Sequence, residues 1–363
     1  MKALLAMALM CCAAFADANA ADQTWAQLVA AAQREGRLAV LGPPDPEMRR
    51  RLPEVFKAKF GIEVDYIGGR SNESAAKLRV ERRSGIYTAD VAFAGIQTMA
   101  TIFHREKMLA PIKDQMIDPD VLDGRKWKRG KLWFVDPEEQ YVLRLFNSVG
   151  ALFAINTSIV KPGDLRSVND LLDPKWRGKI AFHDPTIPGT GSNEAARFYM
   201  QYGADFARKL YVDQKPAISR DRRQLTDWAL RGTYPIVFGA EDDELDKLRK
   251  EGMPVMMLYG LPDMPGTLTA EGHVAMFSNA PHPNAAKLFI NWIASKEGLE
   301  FYARARGGAP MRTDIDARAF LPVEMIPVQG VNYFNSADWE FTVTTKEKIR
   351  NSMADIMKGK PVP

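Results

Sequence analysis

The sequence predicts an α/β protein of two doubly wound lobes joined by crossover strands, and three observations lead there. Apolar runs of strand length alternate with amphipathic stretches of helix length from Leu38 to Gly95. Such alternation builds right-handed strand–helix–strand units on a parallel sheet. The alternation restarts after Gly150 and continues to Gly260. The chain then passes a Pro- and Gly-rich stretch, Gly260–Gly272, and returns with one more strand and a long amphipathic helix.

The elements follow in order. Residues 24–36, TWAQLVAAAQREG, form an amphipathic helix stopped by Gly36, and LAVLG (Leu38–Gly42) is a strand apolar on both faces. Met48, Leu52, Val55, Phe56 and Phe60 recur at helical spacing, and Pro53 among them predicts a helix in two pieces. IEVDYIGG is a strand, NESAAKLRVERRSG a helix and ADVAFAG another strand. In the second half GALFAINTSIV, GKIAFHDP, YPIVFG and PVMMLYG read as strands, and EGHVAMFS with the helix from His282 onward closes the pattern. The expected boundaries are residues 21–146 plus 272–330 for the first lobe and 147–271 for the second, with hinges near Phe146–Val149 and Gly266–Gly272. Residues 331–363 receive no packing assignment.

The first twenty residues carry Lys2, an apolar core Ala3–Phe15 and Ala18 and Ala20 in an A-x-A pattern, a secretory signal cleaved after Ala20. The chain is therefore expected in the periplasm. Both cysteines, Cys11 and Cys12, lie inside that signal, so neither a thiolate metal site nor a cysteine nucleophile is expected. The roughly 340 remaining residues suit two domains. The net charge of +4 is that of an ordinary mixed surface, and clusters such as Arg79–Arg83 and Arg220–Arg223 read as solvated faces, with no nucleic-acid partner.

The stretch DPTIPGTGSNEAARFYM (Asp184–Met200) concentrates turn-forming residues before a helix. Gly189 and Gly191 permit close backbone approach, Ser192 and Asn193 can cap the helix, and its first-turn N–H groups favour a phosphate, phosphonate or carboxylate. On the residues alone, a capped helix start that binds nothing is the commoner case. Arg70 and Ser71, after a double glycine, offer a bidentate fork for an oxyanion or else a surface arginine at a helix start. His104, His183, His273 and His282 show no paired spacing, so no metal site is expected. GTGSNE lacks the pattern of a nucleophile elbow, a P-loop or a dinucleotide fingerprint, so neither a catalytic residue nor a cofactor is expected.

DLLDPKWRGKIAFHDP (Asp170–Pro185), HPNAAKLFINWIASKEG (His282–Gly298), TADVAFAG (Thr88–Gly95) and the signal together resemble the periplasmic solute-binding proteins of ABC importers, in the branch that contains the ferric-iron-binding proteins. The resemblance spans Leu38–Arg312 and implies a type II periplasmic binding protein. Such a receptor closes on one small-molecule solute as a monomer and delivers it to an inner-membrane ABC permease. The branch holds iron with a histidine, a glutamate and two adjacent tyrosines. Here the histidine position falls on Asp45, beside Pro44, the glutamate position on Gly95, and the tyrosine pair on Glu241 and Asp242. No adjacent tyrosines occur in the chain, so iron capture of that kind is not expected. The branch's anion-holding loop falls on Thr190, Gly191, Ser192 and Asn193. Carboxylates facing an anion cradle suit an anionic or zwitterionic organic solute. Ferric iron or another metal is the alternative cargo, and a secreted enzyme is a third reading.

Overall fold

The computed structural model of the protein describes residues 24–69 and 71–360, with the side chains of residues 71, 72 and 243 outside that description. The secretory signal and Arg70 thus lie outside the described residues, as does the side chain of Ser71.

Two mixed α/β sheets carry the fold. In the first, Arg37–Gly42 pairs in parallel with Glu63–Gly68 on one side and Val91–Ala94 on the other. His273–Phe277 then joins Val91–Ala94 in antiparallel register, Ala94 opposite His273. Val91–Ala94 and His273–Phe277 at the centre are buried along their whole length because helices cover both sides, whereas the edge strand Glu63–Gly68 alternates between buried and exposed. On one face Phe56, Phe289 and Trp292 pack edge to face, and on the other Phe103 meets Phe277. The helix Pro46–Phe60 is continuous through Pro53, where two pieces were expected. Pro53 removes one hydrogen bond, but Met48, Leu52, Phe56 and Phe60 are all buried on one stripe and carry the helix through.

The second sheet runs Val255–Leu258, Phe153–Asn156, Ile236–Phe238, Ile180–His183, Ala217–Ser219. Its last three strands are parallel, and Phe153–Asn156 opposes them. Phe182, Phe238 and Tyr211 stack at its centre.

Between the sheets lies a small three-stranded ladder of Val149–Gly150, Thr267–Leu268 and Phe334–Asn335. It is where the chain crosses between lobes, and the third strand comes from the segment left unassigned above. That segment belongs to both lobes. Ala337 and Trp339 join the core of the first lobe, while Phe341, Ile349, Met353 and Ile356 join that of the second. The fully buried Arg144 is bonded to all three crossings. Its Nε donates to the Phe146 carbonyl at 3.1 Å, Nη2 to the Thr269 carbonyl at 2.5 Å, and Nη1 to Asn335 Oδ1 at 3.0 Å.

Candidate functional site

The carboxyl ends of the parallel strands in both sheets open beside the crossing ladder. Val91–Ala94 ends opposite His273, four residues after Thr269. Val237 is in register with Ala154, just after the crossing strand Val149–Gly150. Two half-sites therefore flank one hinge, as open α/β sheets dictate.

In the second lobe the strand Ile180–His183 leads through the turn at Asp184 into the helix Thr190–Arg208. Gly191 seats that helix on the strand end. Its N–H donates to His183 Nδ1 at 3.1 Å, and a Cβ there would lie 2.3 Å from the His183 carbonyl oxygen. The Ser192 hydroxyl donates to the Gly189 carbonyl and accepts the Gly189 N–H. The Asn193 N–H also goes to the Gly189 carbonyl, at 3.2 Å. The Gly191 N–H, the Ser192 hydroxyl and the Asn193 backbone N–H thus have internal partners, while Thr190 borders a cavity of the second lobe.

One turn on from Thr190 stands Glu194, and the two line a cavity of about 100 Å³ with Arg222, Gly239, Asp242 and Met257. Glu194 Oε2 is buried and has no hydrogen-bond partner. Burial and the neighbouring Asp242 carboxylate push the Glu194 carboxyl well above the usual range, against the opposing pull of Arg222 and Arg197. Arg222 is held by the backbone, its Nε donating to the Gly239 carbonyl at 3.0 Å and Nη2 to that of Ala240. Glu241 and Asp242 diverge at the helix start. Asp242 faces the cavity, whereas Glu241 lines a separate groove with Arg223, Asp227 and Glu244.

In the first lobe Asp45 caps the helix Pro46–Phe60, accepting the Met48 N–H at 2.9 Å, and also accepts Arg306 Nη1 at 2.5 Å. The adjoining Pro44 is exposed, and the Tyr66 hydroxyl donates to the Pro43 carbonyl at 2.8 Å. Gly95 starts the next helix, and a Cβ on it would lie 3.1 Å from Glu271 Oε1. Glu271 is exposed yet hemmed in by protein, which raises its carboxyl above the usual range, with Arg306 opposing. Burial likewise pushes the phenols of Tyr66 and Tyr302 well up.

The structure thus groups Asp45 and Gly95 with Arg306 and Glu271 in the first lobe, and Thr190 and Asp242 with Glu194 and Arg222 in the second. Four of these eight escaped sequence reasoning. Glu194 had a usable signal, lying at i+4 from Thr190 on the same helix face. Arg306 had none, because 261 residues separate it from Asp45.

Two lobes about a short hinge, each offering polar groups at strand ends, define a cleft-binding receptor. Residues 53–325 match the family described as bacterial extracellular solute-binding protein, and the chain belongs to that family, the solute-binding components of ABC importers. An uncharacterized protein of Haemophilus influenzae is 26% identical over 282 residues, 74% of this chain and 76% of that one. Among solved structures, the Trichodesmium protein FutA in complex with iron and citrate aligns at a TM-score of 0.66 and 15% identity, covering 88% of this chain and 99% of that one. AfuA of Actinobacillus pleuropneumoniae, with fructose-6-phosphate bound, aligns at 0.59 and 21%, covering 89% and 99%. At these identities the structures show the shared two-lobed fold.

Proposed function

We propose that the protein works in the periplasm as the monomeric receptor of an ABC importer and captures a small zwitterionic or hydroxyl-bearing organic anion. The observation that carries this reading is Glu194, a buried carboxyl with a partnerless oxygen facing a cavity beside Asp242. An amine or hydroxyl of the solute supplies the missing donor there. The solute's carboxylate or phosphate lies toward the first turn of the helix at Thr190 and, across the cleft, toward Arg306. A solute touching both walls favours the closed arrangement by its differential affinity, and the inner-membrane permease receives that form. Of the two similar structures, one holds iron together with citrate and the other fructose-6-phosphate, so each includes a small organic anion.

Ferric iron fits these residues less well. The cleft walls present carboxyls without a tyrosine pair, and the Tyr66 phenol, raised by burial, already donates to Pro43. Nor does the receptor transform its cargo, which leaves chemically unchanged.

The test is native mass spectrometry of the protein taken gently from its own periplasm, followed by calorimetry with the released molecule. The expected result is one organic anion or zwitterion, recovered intact, whose affinity drops at least tenfold in Glu194→Ala. Bound iron, or an affinity indifferent to that substitution, overturns the reading.

A further inference from the structure

A second pocket, of about 320 Å³, lies away from the cleft between the first lobe and the C-terminal helix Lys346–Met357. Arg79, Gln97 and Arg105 form its first-lobe wall, and Lys346 and Arg350 the other. The second wall belongs mechanically to the opposite lobe, since Ile349 and Met353 of the same helix sit in that lobe's core.

The charges are unbalanced. Arg79 is paired with Glu106, and Arg350 with Glu347 at 3.5 Å. Lys346 and Arg105 have no ion-pair partner among the described residues. Lys346 Nζ donates to the neutral Gln97 Oε1 at 3.2 Å. Four cations, Arg79, Arg105, Lys346 and Arg350, thus line one pocket whose one lining carboxylate among the described residues, Glu347, is paired with Arg350, so Lys346 and Arg105 bring positive charge that no ion pair offsets. A half-buried ammonium in that state loses hydration without gaining a carboxylate, and burial, aided by Arg350, lowers its pKa to about 8. Arg105 is exposed, with its guanidinium free to swing onto a ligand. Part of the sequence cluster RVERR, read as a solvated face, therefore lines a seam.

We propose that this seam pocket binds a compact doubly charged oxyanion of the phosphate type, held between Lys346 and Arg105 and linking the first lobe to the helix rooted in the second. A dianion matches the two uncompensated charges, and tetrahedral oxygens can meet an ammonium and a guanidinium together. Because its walls belong to different lobes, occupancy bears on their relative motion without entering the solute cleft.

Calorimetric titration of inorganic phosphate into the full mature chain at low ionic strength tests this, with Lys346→Gln and Arg105→Glu beside the wild type. Wild-type binding at one equivalent, weakened at least tenfold in each variant, is expected. Arg105 is exposed, so its variant remains informative should Lys346→Gln fold poorly. No binding up to about 10 mM phosphate, or variants that bind like the wild type, overturns the proposal. Neither result touches the solute reading, because in phosphate-free buffer both variants are expected to keep wild-type affinity for the cleft solute.

Discussion

Replacing Glu194 by Gln keeps the shape of the side chain and removes its titration. In the native state burial and Asp242 hold the Glu194 carboxyl above its ordinary value of 4.5, so folded protein keeps a proton that the unfolded chain releases. This contribution is complete below about pH 4.5, diminishes as pH rises and levels off once the native carboxyl ionises. Each pH unit in that window removes about 1.4 kcal/mol of stability, so about 4 kcal/mol is the most that can disappear between about pH 5 and about pH 8. Other groups titrate over the same range, and the difference between wild type and Glu194→Gln isolates this one. Urea unfolding at half-unit pH steps measures it. The wild type should lose stability relative to the variant as pH rises from about 5. Two parallel stability curves would refute the argument, because the carboxyl would then be as solvated folded as unfolded.

The same residue links protonation to binding. A solute that brings an ammonium to Glu194 ionises it and releases a proton, so the calorimetric enthalpy of the wild type should depend on the buffer's ionisation enthalpy and that of Glu194→Gln should not.

Other substitutions probe the frame around the site. Burial and the Arg144 cation hold His273 well below its ordinary 6.5, so stability is full above that pH and lost below it at up to about 1.4 kcal/mol per unit; His273→Leu should flatten the acid limb of a circular-dichroism stability profile. Gly191→Ala places a methyl against the His183 carbonyl, and should cost roughly 1–3 kcal/mol in urea unfolding and weaken solute binding. Met353→Ala, in the C-terminal helix, should cost roughly 2–5 kcal/mol, and a cost near zero would show that the helix is dispensable to the second lobe. Arg144→Met should cost roughly 1–3 kcal/mol in thermal unfolding, since it removes three hydrogen bonds and leaves the buried Phe146 carbonyl without this donor.

The strands were legible wherever a continuous apolar run met turn signals. LAVLG became Arg37–Gly42, and GKIAFHDP became Ile180–His183. The crossing strands were not, because two-residue pairings such as Phe334–Asn335 have no periodicity to read. In the site, Thr190 stood out through the glycines and hydroxyls around it, whereas Glu194 looked like any charge on a helix. Glu241 and Asp242 were read as one set, yet Glu241 is the N-cap with extended backbone and Asp242 the first helical residue, so their side chains serve different cavities. The spacing of Phe341, Ile349, Met353 and Ile356 announces an amphipathic segment but not the surface that receives it.

That segment constrains how the lobes can move. Trp339 is packed in the first lobe and Phe341 in the second, so relative motion of the two must be absorbed within a few residues there. The two other crossings are equally short, Val149–Gly150 and Thr267–Leu268. Arg144 ties all three together through one planar guanidinium, which cannot follow three strands moving independently. On the receptor function proposed above, the crossings should therefore turn as a unit, and closure should be a rotation about this knot rather than a bend spread along the chain. Glu271 lies two residues beyond Thr269, whose carbonyl Arg144 holds, and Gly150 immediately precedes the cavity-lining stretch that begins at Ala151. Both proposed walls are thus attached directly to the pivot, and under that proposal a solute that draws Glu194 toward Arg306 would act on the hinge through stiff elements only a few residues long.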